Sequence, residues 1–574
     1  MSRPERVVLG LAVALAAVGV IAPASFLTDL VGAACVTGIF VLSWIVFCGP
    51  TRELSFGHSL FVGVSGYLGG LLQVRLAWNP WAALLAGGLA GAALGAGVAS
   101  LTFRHRGLYF SMVTMALQLA FYRSLFLASS WLGGEEGIIG VRALAGSRMA
   151  LYAISATALV VLSVAASRFL QSRTGLLLGA TGQDESLARS LGADVPRLRL
   201  RGLALSGALA GLGGALAVLT QGQASAELAS DLVSVRILLL AIAGGLWSLP
   251  GGLVSTFAFQ SLQALLFGRV RYDALIYTGL LLGVVLIFPR GLVPGRPRWM
   301  KRVLSPPLPR EGKGQEGETR GAVEAAAPRH VEGLALRGIE VRFGGVQALA
   351  GVSFELPRGE AVGVIGPNGA GKTTLLNVIA GHRRHDAGEI RWGGRSLGKL
   401  EAAARARLGV RKTHQQVISF PELTLEEHLA VARAAGSKGF GAAAADPELA
   451  QLLEACGGEA AALVPLGELP PAAARMAEVA MALAAPPELL LVDEPFAALS
   501  GREVDAVCAA LLALQRRGVT MIVVEHRLHE LFRLVSEVVV MDQGRVIARR
   551  PPEEVLRDPA VLAAYGVGEE KESA

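Results

Sequence analysis

Ala361-Val-Gly-Val-Ile365, Gly366-Pro-Asn-Gly-Ala-Gly371 and Lys372-Thr373-Thr374 run consecutively and lead into the apolar stretch Leu375-Leu-Asn-Val-Ile379. The order is a short buried strand, a glycine-rich loop and a helix start, the context in which G-x-x-x-x-G-K-[ST] cradles phosphates. The glycines let backbone N–H groups wrap the phosphates, and the helix N-terminus adds its dipole. Lys372 has the reach for β- and γ-phosphates, and the Thr373 hydroxyl suits Mg²⁺. Gly366, Asn368, Gly369, Gly371, Lys372, Thr373 and Thr374 are therefore the nucleotide-binding candidates.

A second apolar strand, Leu489-Leu-Leu-Val492, ends in Asp493-Glu494. This is the acidic pair a phosphate loop requires. Asp493 is expected to hold Mg²⁺, and Glu494 to orient or deprotonate an attacking water. His526 follows the strand Met521–Val524 and is expected to meet a γ-phosphate. The expected cofactors are ATP and Mg²⁺, and the expected fold from residue 331 onward is α/β.

The sequence before it has a different character. Hydrophobic residues make up 52% of the chain and charged residues 17%, against about 25% charged in an average soluble domain. Mean hydropathy is +0.50. Residues 1–302 carry 23 Lys and Arg against 11 Asp and Glu, and residues 303–574 carry 30 against 35. The positive half is also the apolar half, which points to membrane loops and away from nucleic acid. Apolar runs near 7–27, 31–48, 54–74, 80–103, 107–129, 150–170, 202–222, 233–248, 251–268 and 274–289 suggest about eight to ten spans, ten being the best fit. Those near 54–74 and 233–268 are short or rich in Gly and Pro and are expected to be broken or re-entrant.

Arginines set the orientation. Arg3, Arg6, Arg52, Arg104, Arg106, the loop 171–201 and the end of the last span fall inside. Asp29, Glu135, Glu136, Glu227 and Asp231 fall outside, together with Arg142, Arg148, Arg269 and Arg271, which go against the pattern. The N-terminus has the outline of a secretory signal up to Ala22-Pro23-Ala24, but the many spans that follow speak for retention. Gly66/Gly70, Gly87/Gly91/Gly95 and Gly207/Gly211 read as close helix packing. His58, Gln73, Gln118, Gln221, Gln260 and Gln263 stand inside spans, either as interhelical ties or as pathway linings. Residues 303–330 are rich in Pro, Gly and charge and read as a disordered linker. Cys35, Cys48, Cys456 and Cys508 form no metal or disulfide pattern.

The phosphate loop, Asp493-Glu494-Pro495 and His526 together resemble an ABC-transporter ATPase. Phe343 sits where that family stacks an aromatic ring on adenine. Gln415 sits at its Q-loop, which implies a link between the γ-phosphate, Mg²⁺ and the membrane domain. FGGVQAL, IGPNGAGKTTLLN, ISFPELT and DPAVLAAYG are similar to the ATPase of branched-chain amino-acid importers. LSFGHSLFVGVSGYLGGLL, SLGADVPRLRLRGLALSGALAGLGGAL, AIAGGLWSLPGG and LIYTGLLLGVVLIFPRGL resemble the permease of the same importers. Permease (1–302), linker (303–330) and ATPase (331–574) are thus expected in one chain, with a short coupling helix in 180–195.

The resemblance implies ATP-driven import of a hydrophobic amino acid across a bacterial inner membrane, with the ATPase cytoplasmic. It also implies a second permease, a second ATPase and a periplasmic or lipid-anchored binding protein as partners. Urea or short amides are the alternative substrates within the family. An exporter half-transporter and a non-hydrolysing membrane scaffold are the rivals outside it. Where the family has LSxGQ, this chain has Leu469-Pro470-Pro471-Ala472-Ala473, without the Ser hydroxyl or the Gly. Ser500 replaces the D-loop Asp. An intact signature is therefore expected from the partner ATPase. Pro471 at a helix start is compatible with a helix there.

Overall fold

The computed structural model describes residues 10, 14, 15, 18, 26–103, 107–266, 273–288, 291–293, 333–413, 419–435, 452, 454, 464–484, 487–497 and 499–565. The chain divides into two compact units, Met1–Gln183 with Val195–Val303, and Asp184–Asp194 with Leu304–Ala574. The run 303–330 and Gln415 lie outside the described residues.

Among the described residues, the α-helices of the first half longer than four residues are α1 (Phe26–Thr51), α2 (Ser59–Leu76), α3 (Pro80–Thr102), α4 (Leu108–Leu127), α5 (Arg148–Gln171), α6 (Arg173–Gln183), α7 (Glu185–Ser190), α8 (Val195–Gln221), α9 (Asp231–Gly244), α10 (Leu249–Leu266) and α11 (Asp273–Ile287). Six of them, α1 to α5 and α8, are long and apolar enough to cross a membrane. Helices α1 and α8 are the inner ones. Helices α3 and α4 turn Leu85, Leu89, Met112 and Leu119 outward, as a lipid-facing surface requires.

The span count differs from the expected eight to ten. Among the described residues there are six spans, or seven if α9 and α10 form one. These two helices meet at a bend of 117°, so the apolar runs 233–248 and 251–268 are two arms of one broken element. The bend is built from glycine: Gly245 has φ +114°, and a Cβ on Gly244 would lie 2.4 Å from the Gly251 carbonyl carbon. Helix α11 has 15 residues, fewer than the roughly 20 that span a bilayer. The run 7–27 lies largely outside the described residues. The segment near 54–74 is not broken within its helical part; α2 is continuous from Ser59.

The glycine patterns mark where helices touch. A Cβ on Gly91 would lie 2.2 Å from the Gly207 carbonyl oxygen, and one on Gly207 would lie 2.2 Å from that of Gly91. Gly95 meets the Leu203 carbonyl, and Gly211 meets that of Gly87. Helices α3 and α8 therefore pack backbone to backbone, which only small residues allow. Three of the polar residues act as ties. Ser43 Oγ lies 2.8 Å from His58 Nε2. Arg142 N–H donates to Gln73 Oε1 at 2.9 Å. Gln118 Nε2 donates to the Ala229 carbonyl at 2.6 Å. A buried ion pair, Arg199 to Glu53 at 2.7 Å, adds a fourth.

The second unit contains β1 (Leu334–Phe343), β2 (Val346–Leu356), β3 (Ala361–Ile365), α12 (Lys372–Ala380), β4 (Ala387–Trp392), β5 (Arg395–Ser396), α13 (Ala402–Arg407), β6 (Val410–Lys412), α14 (Leu425–Ala435), α15 (Pro471–Ala484), β7 (Leu489–Asp493), α16 (Gly501–Arg516), β8 (Thr520–Val524), β9 (Glu537–Asp542), β10 (Arg545–Arg550) and α17 (Pro559–Ala564). One sheet has the order β10-β9-β3-β8-β7-β6, and a smaller sheet has β2-β1-β4-β5. From β9 to β6 every pairing in the larger sheet is parallel; β10 alone runs antiparallel. Strands β3, β7 and β8 are buried at every position. Their unbroken apolar runs are what a parallel sheet covered on both faces demands.

Replacing Gly91 with Val drives a side chain into the α8 backbone. The full-length protein is expected to lose about 3 kcal/mol or fail to fold, read as a lowered Tm in detergent. Gly97→Val is the control, because nothing lies within 4 Å of a Cβ there; its Tm should be unchanged.

Candidate functional site

Strand β3 ends at Ile365 and the chain turns at once into the loop 366–371. Gly366 has φ +150°, and a Cβ there would lie 2.0 Å from the Met541 carbonyl oxygen. Gly371 has φ +98° and is pressed against the Ala348 carbonyl. Both positions exclude a side chain, so the loop stays tight and its N–H groups remain at the start of α12. Lys372 opens that helix and is 7% exposed. Its Nζ donates to the carbonyls of Gly366 at 2.7 Å and Pro367 at 3.0 Å. Burial pushes its ammonium pKa below the ordinary value, and Glu494 and Asp493 pull it back up. Thr373 and Thr374 follow, half-buried, and Asn368 and Gly369 are exposed at the loop tip.

Strand β7 delivers the acidic pair. Asp493 is fully buried. Its N–H donates to Thr413 Oγ1 at 3.1 Å, and its Oδ2 lies 3.2 Å from Lys412 Nζ. Its Oδ1 is buried without a hydrogen-bond partner. An orphaned buried carboxylate oxygen is costly unless something cationic completes it, so this residue fits a divalent metal. Glu494 takes φ +50°, a strained conformation for this residue, and its N–H donates to the Val524 carbonyl at 2.9 Å. Its Oε1 lies 3.3 Å from His526 Nε2. Strands β7 and β8 are parallel with Val524 opposite Asp493, which brings Glu494 and His526 together.

Two residues here were not singled out by the sequence. Glu525 is buried, and its carboxylate accepts three N–H groups: Phe496 at 3.0 Å, His526 at 2.6 Å and Arg527 at 3.0 Å. It ties the loop after β7 to the loop after β8. Lys412 donates to Asn377 Oδ1 at 2.9 Å as well as facing Asp493. The available signal for Glu525 was a charged residue directly after the apolar strand Met521–Val524, whereas Lys412 ends the short strand Val410-Arg411-Lys412, which gives no such signal. Tyr565, from the tail DPAVLAAYG, hydrogen-bonds with the backbone of Gly366. Phe343 ends β1 half-exposed, with the Arg383 guanidinium 4.4 Å over its ring.

Helix α15 begins at Pro471 as the sequence allows. Pro470 and Pro471 are exposed, and Ala473, Ala474 and Arg475 are buried. Arg475 donates to Glu478 at 3.0 Å. Ser500 caps α16 in a reciprocal capping box with Glu503. In the same unit, Asp184 caps α7 by accepting from Leu187 N–H at 2.7 Å. Arg407 donates to the Gly192 carbonyl at 3.2 Å and lies 3.9 Å from Asp194. A short helix thus exists within 180–195 and rests on the end of α13.

Residues 26–289 match the family model described as branched-chain amino acid transport system / permease component, and residues 349–497 match that described as ABC transporter. The high-affinity branched-chain amino acid transport ATP-binding protein LivG of Salmonella typhimurium is 33% identical over 252 residues, 40% of this chain and 96% of that protein. The ribose import ATP-binding protein RbsA 2 of Rubrobacter xylanophilus is 33% identical over 236 residues, 41% of this chain. This chain spans only 45% of that protein's length. Among solved structures, a nucleotide-free ATP-binding cassette from an ABC transporter is 28% identical over 41% of this chain and 98% of that one, with a TM-score of 0.35.

Glu525→Leu leaves three N–H groups without their acceptor. It should lower the stability of the full chain by about 3 kcal/mol, measured as a Tm shift. His526→Ala, which removes a half-exposed ring, should leave Tm within about a degree.

Proposed function

This chain belongs to the ABC transporter family, and from that premise we propose that it is an importer subunit in which a permease and an ATPase are fused. The observation that carries the proposal is the convergence of Lys372, Asp493, Glu494 and His526 at the ends of adjacent parallel strands, in one chain with a permease-type helical unit. It would sit in a bacterial inner membrane with the ATPase cytoplasmic.

In this reading the loop 366–371 and the α12 N-terminus hold the phosphates of ATP. Lys372 exchanges its bonds to Gly366 and Pro367 for phosphate oxygens. Glu494 accepts the proton of the attacking water, and His526 holds the γ-phosphate side of the site. Mg²⁺, held by Asp493, Thr373 and Gln415, would neutralise phosphate charge when bound. Phe343 stacks on adenine once Arg383 swings off its ring.

The substrate we propose is a hydrophobic amino acid such as Leu, Ile or Val, delivered by a periplasmic or lipid-anchored binding protein. The description of the permease model over residues 26–289 supports this. A second reading, sugar import, is favoured by the ribose-named relatives. Those relatives are ATP-binding proteins, whereas the substrate crosses the permease. An exporter would carry helices extended far beyond the bilayer; the longest described here has 27 residues.

Pro470, Pro471, Ala472 and Ala473 offer neither hydroxyl nor glycine to a γ-phosphate. We therefore propose that the partner ATPase supplies an intact signature to the site built here, and that a second permease completes the pathway. The segment Asp184–Asp194 couples the two activities through Arg407.

Glu494→Gln should cut ATP turnover of the complex, purified from its native membrane, about 100-fold with ATP still bound. The equivalent change in the partner ATPase should cost less; a larger loss there contradicts the assignment. Arg407→Ala should leave basal turnover within about twofold and abolish its stimulation by substrate-loaded binding protein.

A further inference from the structure

Glu494 stands on unusual backbone. Its φ of +50° is a conformation that persists only where the surroundings over-determine it. Two hydrogen bonds bracket it. The Glu494 N–H donates to the Val524 carbonyl at 2.9 Å. Two residues on, the Phe496 N–H donates to Glu525 Oε1 at 3.0 Å. Pro495 between them has no N–H to give. Val524 and Glu525 are consecutive at the exit of β8, so the turn that carries Glu494 is pinned to that exit on both sides.

The same carboxylate holds the backbone of the second residue of the site. Glu525 Oε2 accepts the N–H groups of His526 at 2.6 Å and Arg527 at 3.0 Å. One oxygen thus serves the loop after β7, and the other serves the loop after β8. Glu494 Oε1 and His526 Nε2 lie 3.3 Å apart, each on backbone that this one side chain bonds. Glu525 is buried, where a carboxylate is tolerated only with donors around it. It follows a strand buried at every position and so stands on a rigid base.

We infer that Glu525 is a positioning residue for hydrolysis: its bond to Phe496 holds the strained turn at Glu494, and so sets where the Glu494 carboxylate meets the attacking water. The inference rests on the ATP-hydrolysis reading and adds to it a residue that acts through Glu494. Holding a base in place speeds the reacting step. Binding of ATP falls to the phosphate loop between β3 and α12, so the loss of this tie lowers kcat and spares KM. Two substitutions cut the tie and keep local bonds. In Glu525→Gln the amide oxygen takes over from Oε2, and the NH2 group then faces the Phe496 N–H, donor against donor. Glu525→Asp keeps the charge and can still accept the Arg527 N–H two residues on, but its shorter side chain leaves the Phe496 N–H out of reach.

The test measures ATP turnover against ATP concentration in the complex purified from its native membrane. Tm, read on the same samples, shows that the assayed protein is folded. Each substitution should lower kcat about tenfold and leave KM for ATP within about twofold. In a Glu494→Gln background the same substitution should cost less than about twofold, because the residue it positions no longer acts as a base. Glu525→Asp gives the reading if Glu525→Gln does not assemble. An unchanged kcat, or a change in KM alone, overturns the positioning role. So does a loss as large in the Glu494→Gln background as in the wild type, because the effect would then not run through Glu494. These outcomes leave hydrolysis itself standing. A wild-type complex that does not turn over ATP overturns the hydrolysis reading, and the inference with it.

Discussion

The nucleotide site depends on the register of three parallel strands. Strand β8 pairs with β3 on one side and β7 on the other, with Val524 opposite both Val364 and Asp493. A parallel sheet releases its strands at one edge, so the loop after Ile365, the acidic pair after Val492 and the ring of His526 emerge side by side. A slip of one residue would turn every side chain of a strand to the other face. The groups at the strand ends resist that slip, because it would draw Asp493 and Glu525 off the partners they hold. Glu525 then fixes the exits by bonding N–H groups from two of the loops, and Lys412 brings a cation from β6 against Asp493.

The helical half is organised by a different constraint. With lipid outside and little hydrophobic drive between helices, packing and buried polar ties hold the bundle. The contact of α3 with α8 has carbonyl oxygens where side chains would be. Helices α1 and α8 are wrapped by their neighbours and carry the buried Ser43–His58 and Glu53–Arg199 contacts. The two halves share a logic in which glycine allows close approach, at Gly366 for a phosphate loop and at Gly91 for a helix crossing.

The parts of this architecture that were legible in the sequence are those set by short spacing. The phosphate loop, Asp493-Glu494 and His526 each sit at a strand end, and the apolar runs before them give the strands away. The start of α15 at Pro471 was compatible with the local sequence in the same way, while the short helix within 180–195 was expected from the resemblance to the permease family. Glu525 and Lys412 were not legible as site residues, because Phe496 and Asp493, which they meet, are brought to them only by the fold. Fewer spans are described than the eight to ten expected because the run 7–27 lies largely outside the described residues, the runs 233–248 and 251–268 form the broken element the sequence had suggested, and α11 is short. The six intramembrane polar residues looked alike in the sequence. Only the packing separates His58, Gln73 and Gln118, which tie helices, from Gln221 and Gln260, which line a cavity in the helical unit.

The central claim is that ATP consumed at the site of Lys372, Glu494 and His526 moves an amino acid toward the ATPase side of the membrane. The complex reconstituted in proteoliposomes, with ATP on the ATPase face and radiolabelled leucine with its binding protein on the other, measures this directly. The account expects ATP-dependent accumulation of leucine on the ATPase side. Movement in the reverse direction, or no ATP turnover in the assembled complex, would contradict it.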